Sequence, residues 1–277
     1  MNFCNFKPTR LHLVVSIIFI LLIILVVVNH KTDRNNIIPG RKNNLKNKGN
    51  NGLVVQENFE EVKKPEKKIH VFKTKLLHKE PDVTLIKSFL TPEECDYIIN
   101  LGEPHIKKSE VCGKDGSRPD KSRTSMTAHI GKKFLRNDNP DPVLTRILEK
   151  TNSYCGLPVE NIEPIQLVRY EPGQYFKPHY DYLDTKVDMY RENVAKNGQR
   201  KYTFFVYLTD VPKNAGGTTY FPRLNKHFTG GKGDAIYWDN MGDNGKEDKR
   251  MLHSGTELKL GKKYGLNIWV RDKEYIG

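Results

Sequence analysis

The fold is decided by residues 165–182 of the 277-residue chain, which read IQLVRYEPGQYFKPHYDY. The first six of these residues predict a strand, and a Pro-Gly pair follows it. Residues two apart in a strand point to the same face, so His179 and Asp181 would project together. An imidazole beside a carboxylate is part of the facial triad that holds non-haem Fe(II). Most His-x-Asp pairs bind no metal, so the pair by itself is weak support for a site.

The downstream half of the chain contains the groups that such a site lacks. His253 follows a candidate strand at residues 234–238, and Lys263 lies ten residues further on, just before a candidate strand at 265–271. We expect this last strand to return alongside the strand of His179 and Asp181 and to present its ammonium toward the iron. The chain therefore holds two imidazoles, one carboxylate and a suitably placed ammonium, which together favour a metal centre.

Elements on either side of this region predict an α+β domain around a β-sandwich or barrel. Thr91, Pro92 and Glu94 form a capping box at the start of one helix, which Gly102 ends. A second helix begins at Asp141-Pro142 and stops before Gly156. The pattern then changes to short strands, for which the candidates are residues 165–170, 202–208, 218–221, 234–238 and 265–271.

Charge and cysteine content exclude several classes of protein. The net charge is +13, but residues 29–80 hold +7 of it and residues 81–277 only +4, so we predict no nucleic-acid binding. Four Cys without a CxxC pair exclude a disulfide-dense miniprotein, a zinc ribbon and a thioredoxin-type site. Cys112 and Cys155 could form a disulfide in an oxidising compartment, whereas Cys95 lies on the apolar face of a helix.

The N-terminal part has the composition of an anchor and a tether. Residues 11–28 read LHLVVSIIFILLIILVVV, which predicts a transmembrane signal-anchor after a tail at 1–10. A cleaved signal peptide is the alternative, but this apolar stretch is longer than usual and lacks an A-x-A site. Residues 29–80 predict a flexible basic stalk, and residues 81–277 the folded domain. Basic residues on both sides of the span leave its orientation open.

The ordered motifs of the domain resemble the prolyl 4-hydroxylase branch of the Fe(II)/2-oxoglutarate dioxygenases over roughly residues 83–271. Lys263 suits this branch, since related hydroxylases commonly use Arg there. The matching segments are 122–125 (SRTS), 169–182 (RYEPGQYFKPHYDY), 198–200 (GQR), 207–211 (YLTDV), 216–222 (GGTTYFP), His253 and Lys263.

The resemblance implies a double-stranded β-helix, or jelly roll, with supporting helices. It also implies Fe(II), 2-oxoglutarate and O2 as reaction partners, ascorbate as a reductant, and a proline-containing peptide or protein as substrate. A lumenal catalytic domain in the endoplasmic reticulum or Golgi would follow. The composition hints at an AT-rich source such as a protist or a large virus. The implied roles are metal binding for His179, Asp181 and His253, 2-oxoglutarate binding for Lys263, Tyr170, Thr219 and Trp269, and substrate contact for Arg200 and Arg123.

Three alternatives stay open from the sequence. Phe176 stands where family members often have Tyr, which favours an oxygenase that acts on another side chain or on a free amino acid. A non-catalytic barrel that binds Pro-rich peptides is another alternative, although four converging polar groups argue against it. Arg123 could also be a solvated loop residue. The sequence indicates no oligomeric state.

Overall fold

Fourteen β-strands and three α-helices make up the part of the chain that the computed structural model describes, which is residues 70–113, 116–131 and 140–277. The strands are β1 (Lys73–His78), β2 (Val83–Lys87), β3 (Lys107–Lys108), β4 (Glu110–Gly113), β5 (Gly116–Pro119), β6 (Met126–Ile130), β7 (Ile165–Tyr170), β8 (Phe176–His179), β9 (Arg200–Tyr207), β10 (Thr219–Phe221), β11 (Lys226–Phe228), β12 (Ala235–Asp239), β13 (His253–Gly255) and β14 (Lys263–Arg271). The helices are α1 (Pro92–Gly102), α2 (Pro142–Cys155) and α3 (Asp188–Asn197).

Two antiparallel sheets form the jelly-roll core. The major sheet has the order β1-β2-β12-β9-β14-β7-β6-β3, and the minor sheet has the order β11-β10-β13-β8. A separate two-stranded ribbon is made by β4 and β5. Since side chains alternate across a strand, each central strand of the major sheet contributes to two different layers.

Two apolar clusters fill these layers. One cluster joins α1 and α2 to one face of the major sheet through residues such as Ile98, Leu144 and Leu266. The other cluster joins the opposite face to the minor sheet and includes Phe221 and Trp238. The polar site described below lies beside this second cluster, between the two sheets.

Both predicted helices are confirmed, together with their ends. Thr91 caps α1 through a full capping box with Glu94, and Pro92 is its first residue. The Asp141 carboxylate caps α2 by accepting from two backbone N–H groups, and Gly156 ends the helix at a φ of 74°. Left-handed backbone of this kind favours glycine, which is why the sequence marks the helix end so clearly.

The five predicted strands are confirmed as β7, β9, β10, β12 and β14, with shifts of one or two residues at most ends. The sequence did not predict α3, whose residues are mostly polar and of which only Asn197 is buried. The predicted start of the domain at residue 81 is too late, because β1, which lies before residue 81, already pairs with β2. The exposed, lysine-rich β1 lacks the alternating apolar pattern that reveals a strand.

Several predictions about the N-terminal part lie outside the described residues. These are the tail at 1–10, the membrane span at 11–28 and most of the stalk at 29–80. Among the residues that the structure does describe, no helix combines the length and apolar character needed to cross a membrane.

The cysteine side chains that the structure describes are Cys95 and Cys155, of which Cys155 is a candidate partner in the disulfide left open by the sequence. Cys95 is buried on α1, as predicted, and carries a free thiol. Cys155, the last residue of α2, is also free.

Candidate active site

Two histidines and one aspartate meet at the end of the minor sheet. His179 is the last residue of β8 and lies directly opposite His253, the first residue of β13. Asp181 sits in the bend that follows β8, so it is not a strand residue as the i, i+2 prediction assumed. The candidate ligand atoms of the three residues lie within 4.8 Å of one another. Antiparallel pairing and one bend thus bring His253 next to His179 and Asp181, although His253 lies at least 72 positions from either residue along the chain.

The hydrogen bonds of both imidazoles leave the same nitrogen available. Nδ1 of His179 lies 2.9 Å from the carbonyl oxygen of Lys177, and Nδ1 of His253 lies 2.9 Å from that of Met251. A carbonyl accepts only, so each Nδ1 carries the proton and each Nε2 keeps a lone pair. These Nε2 atoms lie 3.9 Å and 3.6 Å from the two oxygens of Asp181. Such tautomers are the ones that metal-binding histidines adopt.

Burial and charge shape the protonation of this cluster. Burial, reinforced by the neighbouring imidazole of His253, lowers the pKa of His179 to about 3. Burial alone would raise the pKa of Asp181, but the two imidazoles and Arg200 hold it below its usual range. His179 is therefore neutral and Asp181 ionised over the physiological range, as metal ligation requires.

The second polar group of the pocket is Lys263, which enters from the opposite sheet. It is the first residue of β14, in the major sheet between β9 and β7. The prediction that this strand runs beside the metal strand was therefore wrong, because the two strands belong to facing sheets. Lys263 and the cluster of His179, Asp181 and His253 nevertheless line one common pocket.

Lys263 is buried without a counterion. Only 2% of the residue is exposed, and its Nζ donates one hydrogen bond of 2.7 Å, to the carbonyl oxygen of Gly217. The rings of Tyr170, Phe205 and Tyr207 surround the ammonium, with centroids 4.8–5.5 Å from Nζ. Burial lowers the pKa of Lys263 to about 7. In the described part of the chain, no carboxylate forms an ion pair with it, so the pocket fits an anionic ligand.

The other residues assigned to the 2-oxoglutarate site also line this pocket. Tyr170, Thr219 and Trp269 all contribute to its wall, together with His179, Asp181, His253 and Lys263. Thr219 and Tyr207 share a hydrogen bond of 3.0 Å. The buried indole N–H of Trp269 lies close enough to the Asp181 carboxylate to lower its pKa, although the geometry falls short of a full hydrogen bond within the described residues. Such a donor fits a ligand oxygen.

Arg200 is held firmly at the edge of the pocket. Its guanidinium makes two hydrogen bonds, of 2.7 and 2.8 Å, to the Glu163 carboxylate and stacks 3.8 Å above the ring centre of Trp269. Arg271 donates to the same carboxylate. Burial alone would raise the pKa of Glu163, but the two guanidiniums hold it below its usual range. Glu163 was not predicted from the sequence, because it lies 37 positions from Arg200 along the chain.

Arg123 lies on the other side of the pocket mouth. Its guanidinium donates 2.6 Å to the side-chain oxygen of Gln166 and lies 4.7 Å from the ring centre of Phe176. Phe176 in turn stacks on His179 with ring centres 3.6 Å apart. Arg123 is therefore tied to Gln166 and Phe176 rather than purely solvated, and its role toward the substrate stays a prediction.

The residues present fit a metal ion and an organic anion together. Three buried or half-buried groups offer two neutral nitrogens and one carboxylate, the donor set typical of non-haem Fe(II) with open positions. The unpaired Lys263 ammonium lies in the same pocket. This combination suits a ligand with a carboxylate at one end and metal-binding oxygens at the other.

Comparisons with known proteins agree with this donor set. Residues 165–271, which include all four of these groups, match the 2OG-Fe(II) oxygenase superfamily. Prolyl 4-hydroxylase 1 of Arabidopsis thaliana is 33% identical over 211 residues, which are 70% of this chain and 70% of that protein. Probable prolyl 4-hydroxylase 3 of the same plant is 33% identical over 221 residues, or 73% of each chain.

A solved structure extends the similarity to three dimensions. The viral collagen prolyl hydroxylase from Paramecium Bursaria Chlorella virus-1, in its 2OG complex, matches with a TM-score of 0.52 and 29% identity. The match covers 68% of this chain and 95% of that one. The shared region is therefore nearly the whole of the viral protein.

Proposed function

Because this chain belongs to the prolyl 4-hydroxylase family of Fe(II)/2-oxoglutarate-dependent dioxygenases, we propose that it hydroxylates C4 of proline in peptides or proteins. Fe(II), 2-oxoglutarate and O2 are the reaction partners of this family, and ascorbate is its usual reductant. One proline and one O2 would be converted to hydroxyproline while 2-oxoglutarate is converted to succinate and CO2. The observation that carries the proposal is the convergence of His179, Asp181 and His253 opposite an unpaired Lys263.

In this proposal the iron is held by His179 and His253 through Nε2 and by the Asp181 carboxylate. Bound Fe(II) supplies the chemistry that couples the loss of CO2 from 2-oxoglutarate to oxidation of an unactivated C–H bond. The protein keeps both imidazoles in the ligating tautomer through the carbonyl oxygens of Lys177 and Met251. Three protein ligands leave coordination positions open for the cosubstrates.

Lys263 binds the distal carboxylate of 2-oxoglutarate in this proposal. Its three surrounding rings exclude water from the ammonium, so the ion pair forms in a low-dielectric environment. The same burial disfavours the charged lysine when no ligand is bound. Ligand binding would therefore supply the counterion that no described carboxylate provides. Thr219 and the N–H of Trp269 are further donors in the same wall.

The substrate peptide would pass the pocket mouth between Arg123 and Arg200. Both guanidiniums are fixed by partners, Gln166 for the first and Glu163 for the second, so they retain little freedom to lose on binding. Guanidinium N–H groups suit the backbone carbonyls of an extended peptide. We therefore assign substrate contact to these two residues.

A direct test uses the full chain with Fe(II), 2-oxoglutarate, ascorbate and synthetic proline-rich peptides. We expect succinate and a gain of one oxygen on proline, in equal amounts, by mass spectrometry. Asp181→Ala should abolish both products, whereas Asp184→Ala, an exposed carboxylate three residues further on, should preserve them. Succinate release without peptide oxidation, or full activity in Asp181→Ala, would reject the assignment.

Phe176 favours a second candidate within the same chemistry. The ring stacks on His179 and carries no hydroxyl that could bind the substrate proline. An oxygenase with this wall could act on a different side chain or on a free amino acid. Tandem mass spectrometry of treated peptide libraries separates the candidates, because oxygen found only on residues other than proline selects the second.

Membrane anchoring through residues 11–28 is the part of the proposal that concerns location. The apolar stretch, which only His12 and Ser16 interrupt, supports a single-pass anchor. We propose that the catalytic domain then lies in the lumen of the endoplasmic reticulum or Golgi, including those of a host cell if the source is a virus. Resistance to alkaline extraction and protection of the domain from added protease in microsomes are expected. Extraction of the full chain as a peripheral protein would reject the anchor.

A further inference from the structure

A buried chain of hydrogen bonds runs from Asp181 into the major sheet. Thr203 donates its hydroxyl to the Asp181 carboxylate over 2.9 Å, and Asn240 donates its amide to Thr203 over 2.8 Å. The indole N–H of Trp238 donates to the Asn240 side-chain oxygen over 2.9 Å. Each of these four residues is at most 5% exposed. The bend that carries Asp181 is thereby tied to β9 and to the end of β12, which belong to the facing sheet.

The indole of Trp238 fixes the direction of every hydrogen bond in this network. An indole N–H can only donate, so Asn240 must turn its oxygen toward Trp238 and its NH2 toward Thr203. The Thr203 hydroxyl therefore accepts from Asn240, and its single proton goes to Asp181. The hydrogen bonds from Trp238 to Asp181 are all direct contacts between side chains. A polar network of this kind, with all its members satisfied, holds its members in one arrangement.

The same chain also reaches a second candidate ligand. The ring of Trp238 packs against the imidazole of His253, with centroids 4.9 Å apart at an interplanar angle of 64°. One tryptophan thus contacts His253 with its ring and orients Asp181 through its N–H and two intermediates. Trp238 therefore contacts both ligands, His253 directly and Asp181 through Asn240 and Thr203.

We propose that Thr203, Asn240 and Trp238 are positioning residues that hold the Asp181 carboxylate in place for metal binding. The inference deepens the proposed function, since it concerns the same metal site. Without the proton from Thr203, Asp181 loses its fixed orientation and its metal affinity falls. Partners of this type behind a ligand typically change metal affinity by about 10- to 100-fold.

Co(II) binding to the full chain is the test, because it needs neither peptide nor turnover. We expect Thr203→Val to raise the Co(II) dissociation constant by about 10- to 100-fold and to change the visible Co(II) absorption. Thr203→Ser, which keeps the hydroxyl, should restore both to near the wild-type values. Asn240→Asp should also weaken binding, because an ionised carboxylate at 240 accepts the Thr203 proton and so removes it from Asp181.

Thr151→Val is the matched control. Thr151 is as fully buried as Thr203, and its hydroxyl bonds within α2 to the carbonyl oxygen of Ile147, outside the pocket. It should lower the melting temperature without changing Co(II) affinity. A wild-type Co(II) affinity and spectrum in Thr203→Val would overturn the proposal. If Thr203→Val does not fold, the isosteric Asn240→Asp decides, and wild-type affinity there overturns it equally.

The outcome is separable from that of the proposed function. A chain that oxidises no peptide but loses Co(II) affinity in Thr203→Val would reject proline hydroxylation and keep the positioning role. If the chain hydroxylates proline, and if the wild type and Thr203→Val bind Co(II) equally well, the proposed function stands and the positioning role is rejected. Failure of the wild-type chain to bind Co(II) at all would overturn the positioning role.

Discussion

The two faces of β14 differ in the kind of residue they carry. Tyr264, Leu266, Ile268 and Val270 point into the apolar cluster beneath α1 and α2. Lys263, Asn267 and Trp269 alternate with them and line the pocket between the sheets. One strand therefore contributes its outer face to stability and its inner face to the candidate chemistry, because side chains alternate with a period of two. Substitutions on the two faces should have separable effects.

The largest expected effect lies on the inner face, at Lys263→Met. Loss of the ammonium leaves the distal carboxylate of 2-oxoglutarate buried without a partner, which costs about 3–5 kcal/mol, or 100-fold or more in apparent 2-oxoglutarate affinity. Below pH 7, where Lys263 is charged, the melting temperature of the ligand-free chain should rise, since a buried ammonium that no described carboxylate pairs with has been removed. Steady-state kinetics measures the expected rise in the KM for 2-oxoglutarate, and thermal unfolding measures the expected rise in melting temperature. A rise in KM accompanied by a lower melting temperature would contradict the separation.

The outer face should show the opposite pattern at Leu266→Ala. The residue is fully buried, so truncation should lower the free energy of unfolding by about 2–5 kcal/mol. The KM for 2-oxoglutarate should stay at its wild-type value below the unfolding transition. Denaturant titration and kinetics on the same sample measure the two quantities. A tenfold change in KM would mean that the two faces are coupled.

The pH dependence of 2-oxoglutarate binding sharpens the same comparison. The folded pKa of Lys263 is about 7, below the ordinary value of 10.5, so the ligand-free pocket holds a neutral lysine at higher pH. Between these two values the unfolded chain binds more protons, and the Lys263 contribution to stability increases with pH. Binding of the dianion restores the charge and should take up about one proton near pH 8.5 and almost none near pH 5.5. Calorimetry in buffers of different ionisation enthalpy measures this uptake, and Lys263→Met should abolish it.

A smaller effect is expected across the pocket, on the minor sheet, at Phe176→Tyr. The added phenol can hydrogen-bond the substrate, which is worth about 0.5–1.5 kcal/mol, or a two- to tenfold lower peptide KM. The KM for 2-oxoglutarate should not change, because Phe176 contacts His179 and Arg123 rather than Lys263. Competition assays with a proline peptide check the direction, and a higher peptide KM would show that the bare ring is the better fit.

Local patterns were enough to predict α1 and α2, and residue types with their order along the chain were enough to propose the chemical groups of the site. The capping box at Thr91 and the Asp-Pro start at Asp141 are signals contained within four residues. The set of His179, Asp181, His253 and Lys263 was found from its residue types and order along the chain. Its three-dimensional arrangement depends on the pairing of β8 with β13, which no short segment encodes.

Groups that act through long-range register could not be predicted. Thr203 is an ordinary strand residue until the pairing of β9 with β12 places it opposite Trp238. Glu163 acquires its role only because β9 and β14 bring Arg200 and Arg271 to it. The polar helix α3 lacks an apolar stripe, so it gave no periodic signal. Each of these features depends on tertiary contacts rather than on composition.

The most direct test of the central claim is an anaerobic titration of the full chain with Fe(II) and then 2-oxoglutarate. The account predicts one Fe(II) per chain and a visible charge-transfer band when 2-oxoglutarate chelates it. Asp181→Ala should lose the iron, and Lys263→Met should keep the iron but need far more 2-oxoglutarate to develop the band. Wild-type titrations in both variants would mean that iron and 2-oxoglutarate bind elsewhere, and the account would be wrong.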